Sequence, residues 1–322
     1  MESKPKEKNL LQIAKIAGVS LTTASRAFTD HPYVKESTKK RILDAAHQIN
    51  YEPRIALSKR NVGVIFERVE SIHKDFYLSI ILSHIAREFT TKSLGFELIP
   101  MNNLERMKEN FIKTAIAILY SDESIEQLRK YEATNIILIN AAGKGFSSVC
   151  SDHVQGIELA YEHLRDLGHT HIALFMDHFE GWGCRERVNS FLSLQQRYLG
   201  LKDKKWLKNS SESTIENALN EVLSDGVTGI IVASESSVLR VMSEAGRMGV
   251  NVPEDISIVS FENEGVSRYL SPAQTTIAQD FESIVRHAVE LAGQFINNKR
   301  TKSRNICLDN DLIIRHSTCP NK

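Results

Sequence analysis

From Asn61 onward the chain alternates short apolar runs with helical patterns, and this alternation limits its fold more than any other feature. Val62–Phe66, Phe96–Ile99, Ala115–Leu119 and Asn135–Ile139 read as strands. A helix over Phe76–Ser93 follows the first of them, and another helix fits between the third and fourth. A second series runs helix Gln155–Leu167, strand His171–Phe175, helices Cys184–Arg197 and Thr214–Ser224, then strand Gly229–Val232. Helix Ser236–Met248, strand Ile256–Phe261, helix Phe281–Asn297 and late strands near Ile306 and Leu312–Ile314 complete it. Strands separated by helices must return in the same direction, which gives parallel, doubly wound α/β sheets. Two such series predict two lobes with a ligand cleft between them, at the carboxyl ends of the strands.

The amino terminus follows a different pattern. Leu10, Ile13, Ala14 and Ala17 recur at helical spacing, with Asn9 placed to cap that helix. Gly18 stands where a chain leaving a helix often needs positive φ, and Ser20 can cap a second helix over Leu21–Phe28. Thr23, Ala24 and Ala27 form its expected buried face, and Ala14 and Ala24 allow a close crossing. Leu21, Thr22, Ser25 and Arg26 remain exposed. A third helix over Glu36–Ile49 supplies Ile42, Leu43, Ala46 and Ile49 to a small core, and Asn50-Tyr51-Glu52-Pro53 ends it. Two short helices meeting at Gly18–Ser20 form a helix-turn-helix, whose second helix offers its N-terminal side chains to DNA base edges. Arg26 can grip a guanine edge through two hydrogen bonds, Thr22 a base or phosphate, and Leu21 a thymine methyl.

Charge distribution agrees. Formal net charge is zero, yet residues 1–60 carry 12 Lys/Arg against 6 Asp/Glu, and the remaining 262 carry 28 against 34. A basic head on an acidic body is expected of a chain that meets nucleic acid at one end. The natural division is a head and hinge at 1–60 and a two-lobed effector-binding and dimerisation body at 61–322. Four scattered cysteines have no ligand-like spacing and suit reduced thiols in the cytoplasm. No signal peptide or transmembrane run is visible, so no membrane partner is expected. His163, His169, His171 and His178 are close in sequence but fall on different elements, so no metal site is expected from them. No phosphate loop, paired-carboxylate site or nucleophile–base set stands out, and neither a catalytic residue nor a cofactor is assigned.

Across nearly its whole length the chain resembles the lactose/galactose-repressor (LacI/GalR) family of bacterial transcription regulators. The matching residues are Ile13-Ala14-Lys15, Ala17-Gly18-Val19-Ser20, Thr23, Ser25-Arg26, Tyr33-Val34, Thr38, Asn50-Tyr51 and Pro53. In the body they are Asp152 with Gly156, His163-Leu164, Leu167-Gly168-His169, Arg187 with Phe191, Val252–Phe261, Tyr269–Pro272 and Thr275–Ile277. The resemblance implies a body like the periplasmic sugar-binding proteins, with chain crossings near Ser151–Gln155, Thr276–Phe281 and Leu308. It implies base reading by Leu21, Thr22 and Arg26, with Ser20, Thr23, Ser25, Tyr33 and Tyr51 touching phosphates or supporting the head. Leu57 is the best candidate for a residue wedged into the minor groove. The segment from Pro53 to the first strand is several residues shorter than usual in the family.

For the effector, the resemblance points to Arg187, to Phe76 and Tyr77 as aromatic cleft residues, and to Glu262 where the family usually has Asp. Asn140, ending a buried strand on the cleft side, offers an amide that both donates and accepts. Trp182 supplies either a stacking ring or loop packing. Ser234-Glu235 replaces the family's usual Asn-Asp pair. These features together predict a non-enzymatic repressor of carbohydrate-utilisation genes, acting as a homodimer on a pseudo-palindromic operator. A sugar or sugar phosphate between the lobes would control it. Two readings remain open beside this one: a ligand receptor with a weakened DNA head, and a regulator answering to a non-sugar effector.

Overall fold

The computed structural model describes residues 5–28, 34–49, 51, 61–67, 76–131, 133–211, 214–234, 237–261, 265–296 and 303–321. Among the described residues three helices form the head: α1 (Pro5–Ile16), α2 (Leu21–Ala27) and α3 (Glu36–Gln48). Ile13, Ala17, Ala27, Ile42, Ala45 and Ala46 make its core, with Phe28, Val34, Ile49 and Tyr51 packed against it. Asn9 does not cap α1: the helix runs through it from Pro5, and proline suits a first helical position because its φ is already set. Gly18 turns the chain at φ 63°, as its place after the helix requires.

The body contains two six-stranded sheets. In the first lobe the strands are β1 (Asn61–Phe66), β2 (Gly95–Pro100), β3 (Thr114–Ile118), β4 (Asn135–Ile139), β5 (Ser147–Ser151) and β11 (Asn305–Leu308). Their order is β11-β5-β4-β3-β1-β2, parallel throughout. The period of two along each strand sorts side chains between the faces. Val62, Val64, Ile116, Ile118, Ile137 and Ile139 meet helices α4 (Phe76–Thr91) and α11 (Phe281–Ile296). Ile65, Ala115, Ala117, Ile136 and Leu138 face α5 (Glu105–Glu109) and α6 (Asp122–Leu128). Each fully buried Ile, Leu or Phe contributes about 1.5–3 kcal/mol over its exposed state.

The second lobe has β6 (Ile172–Met176), β7 (Leu207–Asn209), β8 (Gly229–Val232), β9 (Ser257–Phe261), β10 (Thr275–Gln279) and β12 (Asn310–Ile313). They lie in the order β12-β10-β9-β8-β6-β7, with only β12 antiparallel to its neighbour. Helices α7 (His153–Asp166), α8 (Trp182–Leu199), α9 (Ile215–Ser224) and α10 (Ser237–Arg247) cover it. The chain passes between the sheets three times: from β5 to α7, from β10 to α11, and from β11 to β12.

Hydrogen bonds join the crossings. Asn140, just beyond β4 at φ 48°, accepts from the Ser151 amide at 2.7 Å and donates to Gln279 Oε1 at 3.4 Å. Ser151 Oγ donates to Asn310 Oδ1, and Asn310 Nδ2 donates to the Asp152 carbonyl. The four clustered histidines diverge. His163 meets Thr318, His169 bridges Thr228 and the Cys319 carbonyl, His171 meets the Gly226 carbonyl, and His178 meets Cys184. All four cysteines are free thiols, and burial pushes Cys150 up to about 11.

Candidate DNA-reading helix and inter-lobe cleft

Ser20 closes the start of α2, its hydroxyl accepting from the Thr23 amide at 3.0 Å. Such a cap typically contributes about 1 kcal/mol and fixes the direction in which the helix leaves the turn. Thr23 is half-buried and turns its hydroxyl back to Ser20 Oγ at 2.8 Å, so it supports the turn more than the buried face. Ala24 and Ala27 take the inner positions. Leu21, Thr22, Ser25 and Arg26 are exposed together, the arrangement of a helix aimed at a major groove. Tyr51 packs its ring on Phe28, with centroids 5.6 Å apart, and so serves the head's core. Tyr33 and Leu57 lie outside the described residues.

Among the described residues the head touches the first lobe at the end of α5. Phe111, after α5 and at φ 54°, stacks on His47 with centroids 5.3 Å apart and lies 5.7 Å from the Phe28 ring. His47 Nε2 is 3.2 Å from the Lys108 carbonyl.

Between the lobes is a cavity of about 1220 Å³. Its walls come from just beyond the carboxyl ends of β1, β3, β4, β6 and β8, at Glu67, Tyr120, Asn140, Asp177 and Ala233. That is where parallel sheets leave backbone ends and loops free to bind ligands. Several of its charges are already matched. Glu67 accepts from the amides of Tyr120 and Ser121 at 3.1 and 2.8 Å. Asp177 is held by Arg240, Ser237 and Ser210. The Cys184 thiol, 3.8 Å from His178, raises that imidazole's pKa above its ordinary value.

Arg187 is buried at the cavity wall. Its guanidinium lies 4.0 Å over the Phe261 ring, and Nη1 donates to the Ala233 carbonyl at 2.5 Å. Trp182 also lines the cavity, its ring 5.3 Å from that of His153. Tyr77 lines it too, but Phe76 does not: it is exposed at the start of α4, because adjacent helical positions point about 100° apart. Asn140 reaches the cavity with its amide engaged at the crossings. Glu262 lies outside the described residues. His153 was not singled out from sequence; Asp152 before it, which caps α7 at the first crossing, was the available signal.

The lobes meet at the cleft rim. Gly181, at φ 84°, sits so close to the Tyr120 carbonyl that no Cβ fits between them. Arg185 pairs with Asp122 of the first lobe, and the Tyr120 and His178 rings meet edge to face at 6.3 Å.

A helix-turn-helix head on a two-lobed body with a cleft defines a ligand-responsive DNA-binding regulator. Residues 9–54 match the family model for bacterial regulatory proteins of the lacI family, and residues 161–318 that for a periplasmic binding protein-like domain. The chain is 28% identical over 331 residues to the HTH-type transcriptional repressor PurR of Pasteurella multocida (strain Pm70), covering 95% of this chain and 97% of that one. Its fold is similar to that of the transcriptional regulator CelR–cellobiose complex, with TM-score 0.71 and 19% identity, covering 96% of this chain and 99% of that one. It is equally similar to the lac repressor dimer bound to operator and the anti-inducer ONPF, with TM-score 0.71 and 21% identity over 95% and 98% of the two chains. The chain belongs to the LacI family of DNA-binding transcriptional repressors, a non-enzymatic family, and carries a periplasmic-binding-protein-like effector domain.

Proposed function

We propose that this repressor reads its operator with Leu21, Thr22, Ser25 and Arg26 and answers to a carbohydrate-type effector held in the inter-lobe cleft. The shared exposure of those four side chains beyond the Ser20 cap is the observation that carries the DNA half. Ser20, Thr23 and Tyr51 hold the head in shape around them. For the effector half, the cleft combines rings at Trp182 and Tyr77 with the Arg187 fork, a lining suited to a ring-shaped, hydroxyl-rich ligand. One fold neighbour carries cellobiose.

The working unit is a cytoplasmic homodimer, with residues 1–60 as head and hinge and 61–322 as body. Apolar side chains exposed on the first lobe support a partner there: Phe76 opens α4, and Phe96 and Leu98 stand on the edge strand β2. One fold neighbour is a dimer on its operator. Among the described residues no helix is long and apolar enough to cross a membrane. The effector acts by preferring one lobe arrangement, and the Phe111 contact passes that preference toward the head.

Footprinting on DNA near the chain's own gene, with and without a panel of sugars, tests this reading. Salt-sensitive protection that depends on Arg26 and shifts with one sugar is the expected result. No protected site, or protection indifferent to Arg26→Ala, overturns the DNA half; protection unchanged by every sugar that binds overturns the effector half.

A further inference from the structure

Two polar side chains of the cleft lack the partners that burial normally demands. His153 is 4% exposed, lines the cavity, and has no well-formed hydrogen bond at either ring nitrogen beyond an approach to the Asn140 backbone. The ring fits because residue 183 is glycine: a Cβ there would lie 2.7 Å from Nε2. Arg187 is 8% exposed, its Nε has no partner, and among the described residues no carboxylate comes within ion-pair distance of it. Buried polar atoms in folded proteins are nearly always hydrogen-bonded, and a buried charge without a counter-charge is costly.

The rest of the cleft does not remedy this. Glu67 Oε1 accepts from two amides and the Ser121 hydroxyl, Asp177 already balances Arg240, and the other lining carboxylates, Glu123 and Glu180, are solvent-exposed. Among the described residues no counter-charge faces Arg187, and close by is an imidazole able to donate one hydrogen bond. We propose that His153 is an effector contact that acts with Arg187 to hold an anionic oxygen group, so that the cleft selects acidic sugars over neutral ones.

The proposal rests on the effector-cleft reading and narrows it to sugars bearing a carboxylate or a phosphate ester. Burial and the neighbouring guanidinium hold the His153 pKa well below 6.5, so the free protein keeps the ring neutral beside Arg187. An anion lying against both would offset the guanidinium charge and accept the imidazole N–H. Trp182, packed on the His153 ring, would then lie beside the sugar face.

Calorimetric titration of the full chain decides the matter, using matched sets of one sugar as its neutral form, its uronic acid and its 6-phosphate. For at least one sugar, an acidic member should bind about tenfold or more tightly than its neutral partner, the range of a hydrogen bond to a charged group. Comparing the uronate with the phosphate identifies which anion the site takes. His153→Gln should remove most of that preference, costing the acidic sugar several-fold more affinity than its neutral partner, with His153→Asn as a second variant if the first melts early. Equal or tighter binding of every neutral form, or equal losses for neutral and acidic forms in both variants, overturns the proposal. A neutral sugar that binds preferentially and shifts operator affinity removes this proposal but leaves the effector-cleft reading standing. Silence from every set counts against both.

Discussion

The proposed base-reading face of the head, Leu21, Thr22, Ser25 and Arg26, lies within six consecutive positions of one short helix with its own cap. The cleft is instead gathered from the ends of five strands in two lobes, and its arginine comes from a helix that begins after the first crossing. The head therefore presents a rigid surface whose chemistry is set locally. The cleft's chemistry exists only when both lobes are folded and close together. Specificity for DNA and response to effector should accordingly be separable by mutation.

The strongest test of that separation is Gly181→Val. A side chain there meets the Tyr120 carbonyl, and positive φ alone costs a branched residue about 1–3 kcal/mol. The effector-driven change in operator affinity should disappear while affinity without effector stays near wild type. A variant that still responds fully would show that the rim contact is not part of the response. Arg26→Ala is the converse: operator affinity should fall by about 1–3 kcal/mol, with effector affinity unchanged by calorimetry. A parallel loss in effector binding would break the comparison.

Phe111→Ala tests the link between the regions. Removing the ring that packs on His47 and Phe28 should lower the ratio of operator affinities with and without effector by about 0.5–2 kcal/mol, leaving each separate affinity less affected. An unchanged ratio would assign communication to another route. The smallest effect is expected from Asp122→Ala. Its pair with Arg185 spans the rim but is solvent-exposed, so effector affinity should drop by no more than about 1 kcal/mol. A larger loss would make that pair a principal closure contact.

This contrast also explains what could be read from the sequence. Gly18, Ser20, Ala24 and the exposed Arg26 act through neighbours a few residues away, so spacing alone revealed the head. The apolar cores of most strands were visible for the same reason. β5 and β10 were not assigned as strands, because Ser147–Ser151 and Thr275–Gln279 are mostly small or polar and lack a long apolar run. Their burial comes from lying inside the sheets next to the crossings. Phe76 and Tyr77 look equivalent in sequence, and only the helix's orientation separates the exposed ring from the cleft ring. His153 was hidden because its interest lies in contacts it does not make. Motifs do not record an unpartnered atom.

The triple crossing bears on how the molecule is made. β11 is the edge of the first sheet and β12 the edge of the second, and both follow every other described element of the two lobes along the chain. Neither lobe can be completed on the ribosome until these two strands have been made, whereas the three described head helices precede both lobes. Domains near the amino terminus generally fold first during synthesis. A nascent chain of this protein thus carries a finished DNA-reading head well before it has a cleft to govern it.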